Sequence, residues 1–247
     1  MNISSLGLCS VTFRKLPAEK IVDIAVRNGI SYIEWGADVH VKNLNDAKAV
    51  KELCDKNSIK ISSYGSYFNS AIYSEDEWTR VCEIAKTMDA ESIRIWLGKK
   101  NSEDTDEEYY RLLLSNTKKM CDIAKSFGLL VCPECHDNTF NNNTDAILKF
   151  INDLQRENFR TYFQSRYYRM AYDIDRIERT HPYIKDVHIS FRDLKKEQLF
   201  RKKDRFYIKT LLRKLYEMNF QGIVMIEFVC SDKEKALIKD IEKLKKY

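Results

Sequence analysis

The sequence predicts one α/β domain, a (β/α)8 TIM barrel over residues 1–247, and three observations carry the prediction. Short β-rich runs recur eight times, segments of helical periodicity separate them, and the repeat averages about 31 residues, 247 shared among eight units. Strands alternating with helices pair in parallel through right-handed crossovers. Eight such units suit a barrel better than a doubly wound sheet, and neither GxGxxG nor GxxxxGK[ST] follows the first strand.

The elements follow in chain order. The first strand is expected at 3–9 (ISSLGLC); Pro17 then takes a first-turn position before AEKIVDIAVRNG, and Gly29 is its left-handed stop. Strands at 31–36 (SYIEWG) and 59–65 (IKISSYG) flank the next helical stretch. Ser74 and Glu77 make a capping box ahead of Trp78, Val81, Ile84 and Ala85. In SIRIWLG (92–98), alternation aims Ser92, Arg94 and Trp96 into the barrel and Ile93, Ile95 and Leu97 at the helices. Thr105 or Asp106 opens a long helix that runs to Phe127, with Gly128 as its stop. The fifth strand is LLVCPE (129–134), after which Thr144 caps DAILKFIND. The sixth, RTYFQS (160–165), precedes MAYDIDRIERT (170–180), expected as a short and poorly amphipathic helix. IKDVHIS (184–190) and IVMIEFV (223–229) complete the strands, and KEKALIKDIEKLKKY is the closing helix.

Composition narrows the function classes. A hydrophobic fraction of 44% marks a globular chain, and 42 Lys and Arg against 37 Asp and Glu give a mild +5 without a basic stripe, which argues against a nucleic-acid partner. Seven cysteines, an odd number scattered through apolar segments, read as reduced core thiols. The CxxC spacing of Cys132 and Cys135 sends the two thiols to opposite faces of a strand, so a redox pair is not expected there. Nothing resembles a signal peptide or an uncharged span of membrane length, so a cytoplasmic protein without a membrane partner is expected. A homodimer is compatible with the sequence, although no segment points to an interface.

In a parallel barrel the carboxyl ends of the strands open on the face that hosts chemistry. The residues expected there are Cys9, Glu34, Tyr64, Trp96, Glu134, Gln164, His188 and Glu227. Several are out of place by polarity: Glu227 interrupts IVMIEFV, His188 stands between Val187 and Ile189, and Glu134 ends LLVCP. Alternation through LLVCPECH further puts His136 on the face of Glu134. Two carboxylates, an imidazole and an amide on strands five to eight could converge on one cation, and Mn2+, Mg2+, Co2+ and Zn2+ all accept such donors, whereas Ca2+ usually takes more oxygens. A buried hydrogen-bonded cluster that only stabilises the barrel is the alternative. Arg94 and Glu34 read best as a paired charge filling the lumen. His40, Tyr64, Trp96, His136 and Arg192 are the candidates for substrate contact; Trp96 and Tyr64 would offer apolar walls, and Arg192 stands where phosphate docks in many such barrels.

GLCSVTFRKL, YIEWGADVHV, ISSYGSYF, IRIWLG, PECH, RTYFQ, DVHIS and MIEFV, in this order, resemble the strand-end motifs of the sugar phosphate isomerase/epimerase superfamily, the xylose isomerase-like TIM barrels. The likeness runs nearly end to end. It implies one divalent metal ion (Mn, Mg, Co or Zn) held by Glu134, Gln164, His188 and Glu227, and a small sugar or sugar phosphate as the carbohydrate substrate. It also implies proton transfer through an enediolate with Glu134 and Glu227 as the acid/base pair. The better-known epimerases carry an aspartate where this sequence has Gln164, which removes one negative charge from the set. A dehydratase of cyclic polyols begins with the same proton abstraction and stays open, as does a catalytically silent sugar-binding barrel. A DNA-cleaving relative with a histidine-rich trinuclear zinc cluster is not expected from a chain with four histidines.

Overall fold

The computed structural model describes residues 6–164, 169–190, 192–193, 198–199 and 202–245, with backbone alone at 192–193, 198–199 and 202–205. The strands are β1 (Leu6–Cys9), β2 (Tyr32–Gly36), β3 (Lys60–Asn69), β4 (Ser92–Trp96), β5 (Leu130–Pro133), β6 (Thr161–Gln164), β7 (Ile184–Ile189), β8 (Arg192–Asp193), β9 (Gln198–Leu199) and β10 (Ile223–Ile226). The helices are α1 (Ala18–Arg27), α2 (Leu44–Lys56), α3 (Glu75–Thr87), α4 (Glu107–Ser126), α5 (Thr144–Leu154), α6 (Met170–Thr180), α7 (Lys202–Glu217) and α8 (Glu234–Leu244).

Eight strands form one parallel sheet in the order β5-β4-β3-β2-β1-β10-β7-β6. Its two edges approach at a single parallel bridge between Val131 and Phe159, where Val131 N donates to Asn158 O (2.9 Å) and Arg160 N to Val131 O (3.0 Å), so the barrel is nearly closed. The pair β8 and β9 is a small antiparallel hairpin between β7 and α7 that the sequence pattern did not signal.

Two apolar regions hold the fold. The larger lies between the sheet and the helices and contains Trp35, Trp78, Phe150, Phe159 and Phe163, all nearly inaccessible to solvent. A smaller one consists of Cys9, Val11, Ile223 and Met225. Met225 explains Gly7 beside it: a Cβ there would lie 2.1 Å from the methionine sulfur. No helix among the described residues is long and apolar enough to cross a membrane.

Several boundaries differ from expectation for local physical reasons. Ser74 stands at the start of α3 but makes no side-chain cap bond. The cap of α5 is Asn143, whose Oδ1 accepts from Ala146 N (2.9 Å), which makes Thr144 the first helical residue. Asp106 caps α4 by accepting from Tyr109 N (2.8 Å), and Asn43 caps α2 through Asn45 N and Asp46 N. Pro17 sits at the N-cap of α1, one residue before the first turn, while Gly29 and Gly128 end their helices with φ of 68° and 74° as expected. Strand β3 continues past Gly65 to Asn69, with its register against β4 shifting between Gly65 and Phe68. Residues 1–5, 165–168 and 246–247, which include parts of the first and sixth expected strands and of the last helix, lie outside the described residues.

Candidate active site

Strands β5 and β10 end one residue before the acids they deliver. Glu134 N still donates to Ile95 O (3.1 Å), and Glu227 N to Ile189 O (2.9 Å), so each acid starts from a backbone position pinned by its neighbour. Phe228 then turns the chain away in the left-handed region at φ 56°, held by Phe228 N donating to Thr12 Oγ1 and Ser190 Oγ donating to Phe228 O, both 3.1 Å. On the other strands the pleat does the positioning: His188 on β7 is level with Gln164 on β6 and Met225 on β10, and Glu34 on β2 is level with Cys9 on β1.

These side chains meet in the lumen. His188, Glu34, Arg94, Glu134 and Glu227 are all buried, and Gln164 is half-buried. His188 Nδ1 lies 3.7 Å from Glu227 Oε2 and 3.9 Å from Glu134 Oε1, while Nε2 lies 3.4 Å from Glu34 Oε2 and 3.6 Å from Cys9 Sγ. Gln164 Nε2 donates to Glu227 Oε2 at 3.3 Å. Arg94 donates through Nε to Glu34 Oε1 (2.9 Å) and through a second nitrogen to Glu134 Oε2, and the Tyr162 hydroxyl donates to Glu34 Oε2 at 2.9 Å.

Burial and charge compete at each group. Burial alone would raise the Glu34 pKa, but Arg94 and His188 hold it well below the usual carboxylate range. Burial pushes the Cys9 thiol up to about 12, which leaves it neutral near pH 7. Burial opposes charge on His188, and the Cys9 sulfur with the carboxylates of Glu34 and Glu227 outweighs it, raising that imidazole well above its ordinary value. Since the thiol is neutral, the two carboxylates supply most of that attraction. Burial raises Glu227 to about 7, His188 opposing and the Glu134 carboxylate reinforcing the shift.

The donor set fits a divalent cation. Two buried polar atoms here have no hydrogen-bond partner, His188 Nδ1 and Gln164 Oε1, and both belong to the residues that carry or touch the Glu134 and Glu227 carboxylates. Two carboxylates, an amide oxygen and an imidazole nitrogen suit Mn2+, Mg2+, Co2+ or Zn2+. Cys9, His188 and Glu227 also bring one donor atom each within 4.8 Å of one another, although Cys9 approaches the ring at Nε2, the nitrogen turned from Glu134 and Glu227. Beside this set, a cavity of about 570 Å³ opens between the ends of β5 and β6 and the start of α6, with Cys135, Asp137, Gln164, Arg169 and Arg176 in its wall.

The expected substrate contacts divide. Trp96 and His136 stand at the rim with ring centroids 4.4 Å apart, and His136 is past the strand, its Nδ1 on Asp137 O (2.8 Å). His40 is occupied within the chain, Nδ1 on Ser10 Oγ and Nε2 on Leu16 O, both 3.1 Å. Tyr64 is not at the mouth: an extra residue in β3 sets Tyr64 level with Trp35, both in the layer beneath the helices, and its hydroxyl donates to Val41 O at 3.0 Å. Tyr67 takes the place expected of it, carried over the Arg94 guanidinium (4.8 Å) and against Trp96 (6.4 Å) by the bulge and a φ of 56°. The Arg192 side chain lies outside the described residues. Sequence reasoning passed over Tyr162, which the alternation of RTYFQS places on the face of Gln164; Tyr67 had no comparable local signal, because its bulge arises from pairing with β4.

Solved structures share this architecture. The probable 3-DHS dehydratase AsbF of Bacillus anthracis superposes with a TM-score of 0.79 at 14% identity, covering 98% of each chain. D-psicose 3-epimerase gives 0.76 at 15% identity over 98% of this chain and 97% of that one. The 3-keto-D-glucoside 4-epimerase YcjR of E. coli gives 0.75 at 13% identity over 98% and 99%. A comparison with curated proteins finds no match. At these identities the likeness is one of fold, but the sequence model described as xylose isomerase-like TIM barrel matches residues 22–247, and the chain therefore belongs to the xylose isomerase-like TIM barrel family.

Proposed function

We propose that this protein is a divalent-cation-dependent isomerase or epimerase of a small sugar or sugar phosphate, removing a proton beside a carbonyl and returning one, to the adjacent carbon or to the other face of the same carbon, through an enediolate. The observation that carries the reading is the convergence of Glu134 and Glu227 on the unpartnered His188 Nδ1, at 3.9 and 3.7 Å, with Gln164 Oε1 also unpartnered. Mn2+, Mg2+, Co2+ or Zn2+ held by Glu134, Gln164, His188 and Glu227 would supply polarisation of a carbonyl and its neighbouring hydroxyl, which acidifies the C–H between them. Glu227 is suited to move that proton as a buried carboxylate held in place by Gln164, and in the cation-free protein burial raises its pKa to about 7. Gln164 Nε2 orients the Glu227 carboxylate, and Arg94 fixes that of Glu134. At the rim, Trp96 with Tyr67 and His136 offers rings for the apolar face of a sugar.

The epimerases of similar fold act on sugars by their names, which agrees with this reading. The dehydratase of similar fold keeps a second one open, since proton abstraction beside a carbonyl also begins loss of water. One experiment separates them. The cation content of the purified protein is measured, and the loaded protein is then incubated with ketoses, their phosphates and cyclic polyols in D2O. An epimer carrying deuterium at the inverted carbon is expected. Glu227→Gln should lower that rate at least about 100-fold while leaving the unfolding midpoint of the cation-free protein in place. Undiminished activity in this variant, or a protein that binds no divalent cation, would overturn the assignment.

A further inference from the structure

Beside the acids that face Nδ1, the lumen holds a second set of buried ionic groups that proton transfer does not use. Glu34 is 2% exposed and has both oxygens engaged: Oε1 by Arg94 Nε, Oε2 by the Tyr162 hydroxyl and by His188 Nε2. Arg94 continues to Glu134. One carboxylate on β2 thus reaches β4, β6 and β7 directly and, through Arg94, the residue that follows β5. A pair present only to fill space would need a single contact, and an apolar pair of the same volume would fill the lumen at lower desolvation cost.

The two nitrogens of His188 have different surroundings, and that difference assigns a role. A ring nitrogen can ligate a cation only with its lone pair free, so the proton must sit on the other nitrogen, and the acceptor of that N–H decides both tautomer and ring rotation. Nδ1 faces Glu134 and Glu227 without a hydrogen-bond partner; Nε2 faces Glu34 Oε2 at 3.4 Å and Cys9 Sγ at 3.6 Å. Of these two acceptors, a neutral thiol is much the weaker.

We propose that Glu34 is a positioning residue: it accepts the Nε2 proton of His188, which commits Nδ1 to the cation, and through Arg94 it ties that ring to the orientation of Glu134. The proposal rests on the reading of the site as a divalent-cation centre.

The test uses the full chain stripped of cations by chelation. Mn2+ is titrated calorimetrically into the wild type, Glu34→Gln and Cys9→Ser. The expected result is a 10- to 100-fold weaker affinity, roughly the effect of losing the partner of a ligating histidine, in Glu34→Gln, and an unchanged affinity in Cys9→Ser. Because Glu34→Gln also disturbs a buried ion pair, a second measurement needs no variant. In Zn2+-loaded wild type labelled with 15N-histidine, long-range 1H–15N spectra should show the His188 ring protonated at Nε2 and ligated at Nδ1. Ligation through Nε2, or Mn2+ affinity in Glu34→Gln equal to the wild type, overturns the positioning role alone. A wild type that binds neither cation overturns the functional reading, and this role with it.

Discussion

Without Arg94, two acids would be left in a lumen where Glu34 is 2% and Glu134 4% exposed. Arg94 is bonded to both, and burial would otherwise favour its neutral form, so the carboxylates are what keep its pKa well above the ordinary value. Breaking a buried pair from one side strands the remaining charge, and Arg94→Met is expected to lose about 3–5 kcal/mol in urea unfolding at pH 7. Arg94→Lys should recover only part of that, since a point charge cannot donate in two directions at once. A loss below about 1 kcal/mol in Arg94→Met would mean that the acids find other partners. The sequence made this cluster legible because charged residues inside β-rich runs contradict their surroundings, which picks out Glu34, Arg94, Glu134, His188 and Glu227 without reference to the fold. What it could not show is which atoms meet. Arg94 and Glu34 were read as a pair, and the third and fourth members, Glu134 and Tyr162, depend on the level that each strand reaches around the barrel.

Secondary-structure elements were legible wherever a local pattern suffices, and less so where two residue types compete for one position. Ser74 with Glu77 has the form of a capping box, yet Ser74 makes no cap bond, whereas Asp106 and Asn143 do. Asp106→Ala and Asn143→Ala should each cost about 1 kcal/mol, and Ser74→Ala only a few tenths, in parallel denaturation curves; equal costs at all three would contradict the bonding seen here. The contact between β7 and β10 supplies a pH-dependent term. Asp186 on β7 is fully buried, accepts from Ile223 N at 3.0 Å, and has its pKa raised from 3.8 to about 6 by burial, against the pull of Lys185. Between pH 4 and 6 the unfolded chain releases this proton while the folded chain retains it. The contribution of Asp186 is therefore intact below about pH 4 and is lost as pH rises to about 6, by an amount on the order of 2–3 kcal/mol. Asp186→Asn should remove that slope, so the stability difference between variant and wild type should move in favour of the variant from pH 4 to pH 7.

At the scale of the molecule, the eightfold beat of strand and helix made the barrel legible, because a period near 31 residues leaves few other parallel architectures. The near-closure at one bridge between β5 and the segment that leads into β6 was not legible, since it depends on strand tilt and not on any residue pattern, and the β8–β9 hairpin is too short to leave a period. Mutual repulsion among the carboxylates of Glu34, Glu134 and Glu227, offset among the described residues chiefly by Arg94 and His188, would make the whole barrel responsive to a cation. A cation that binds the folded chain and not the unfolded one adds about 2.7 kcal/mol at a hundred times its dissociation constant. For a chain of 247 residues this corresponds to a rise in melting temperature of roughly 5–10 °C. Scanning fluorimetry of the protein in chelator and then in excess Mn2+ should show that rise, and added chelator should reverse it. Glu134→Ala and His188→Ala each remove a donor delivered by a different strand, so each should abolish the shift independently. A shift that survives in both would place the stabilising cation outside the lumen, whereas its loss in both would tie the stability of the barrel to the same four side chains that are proposed to carry out the chemistry.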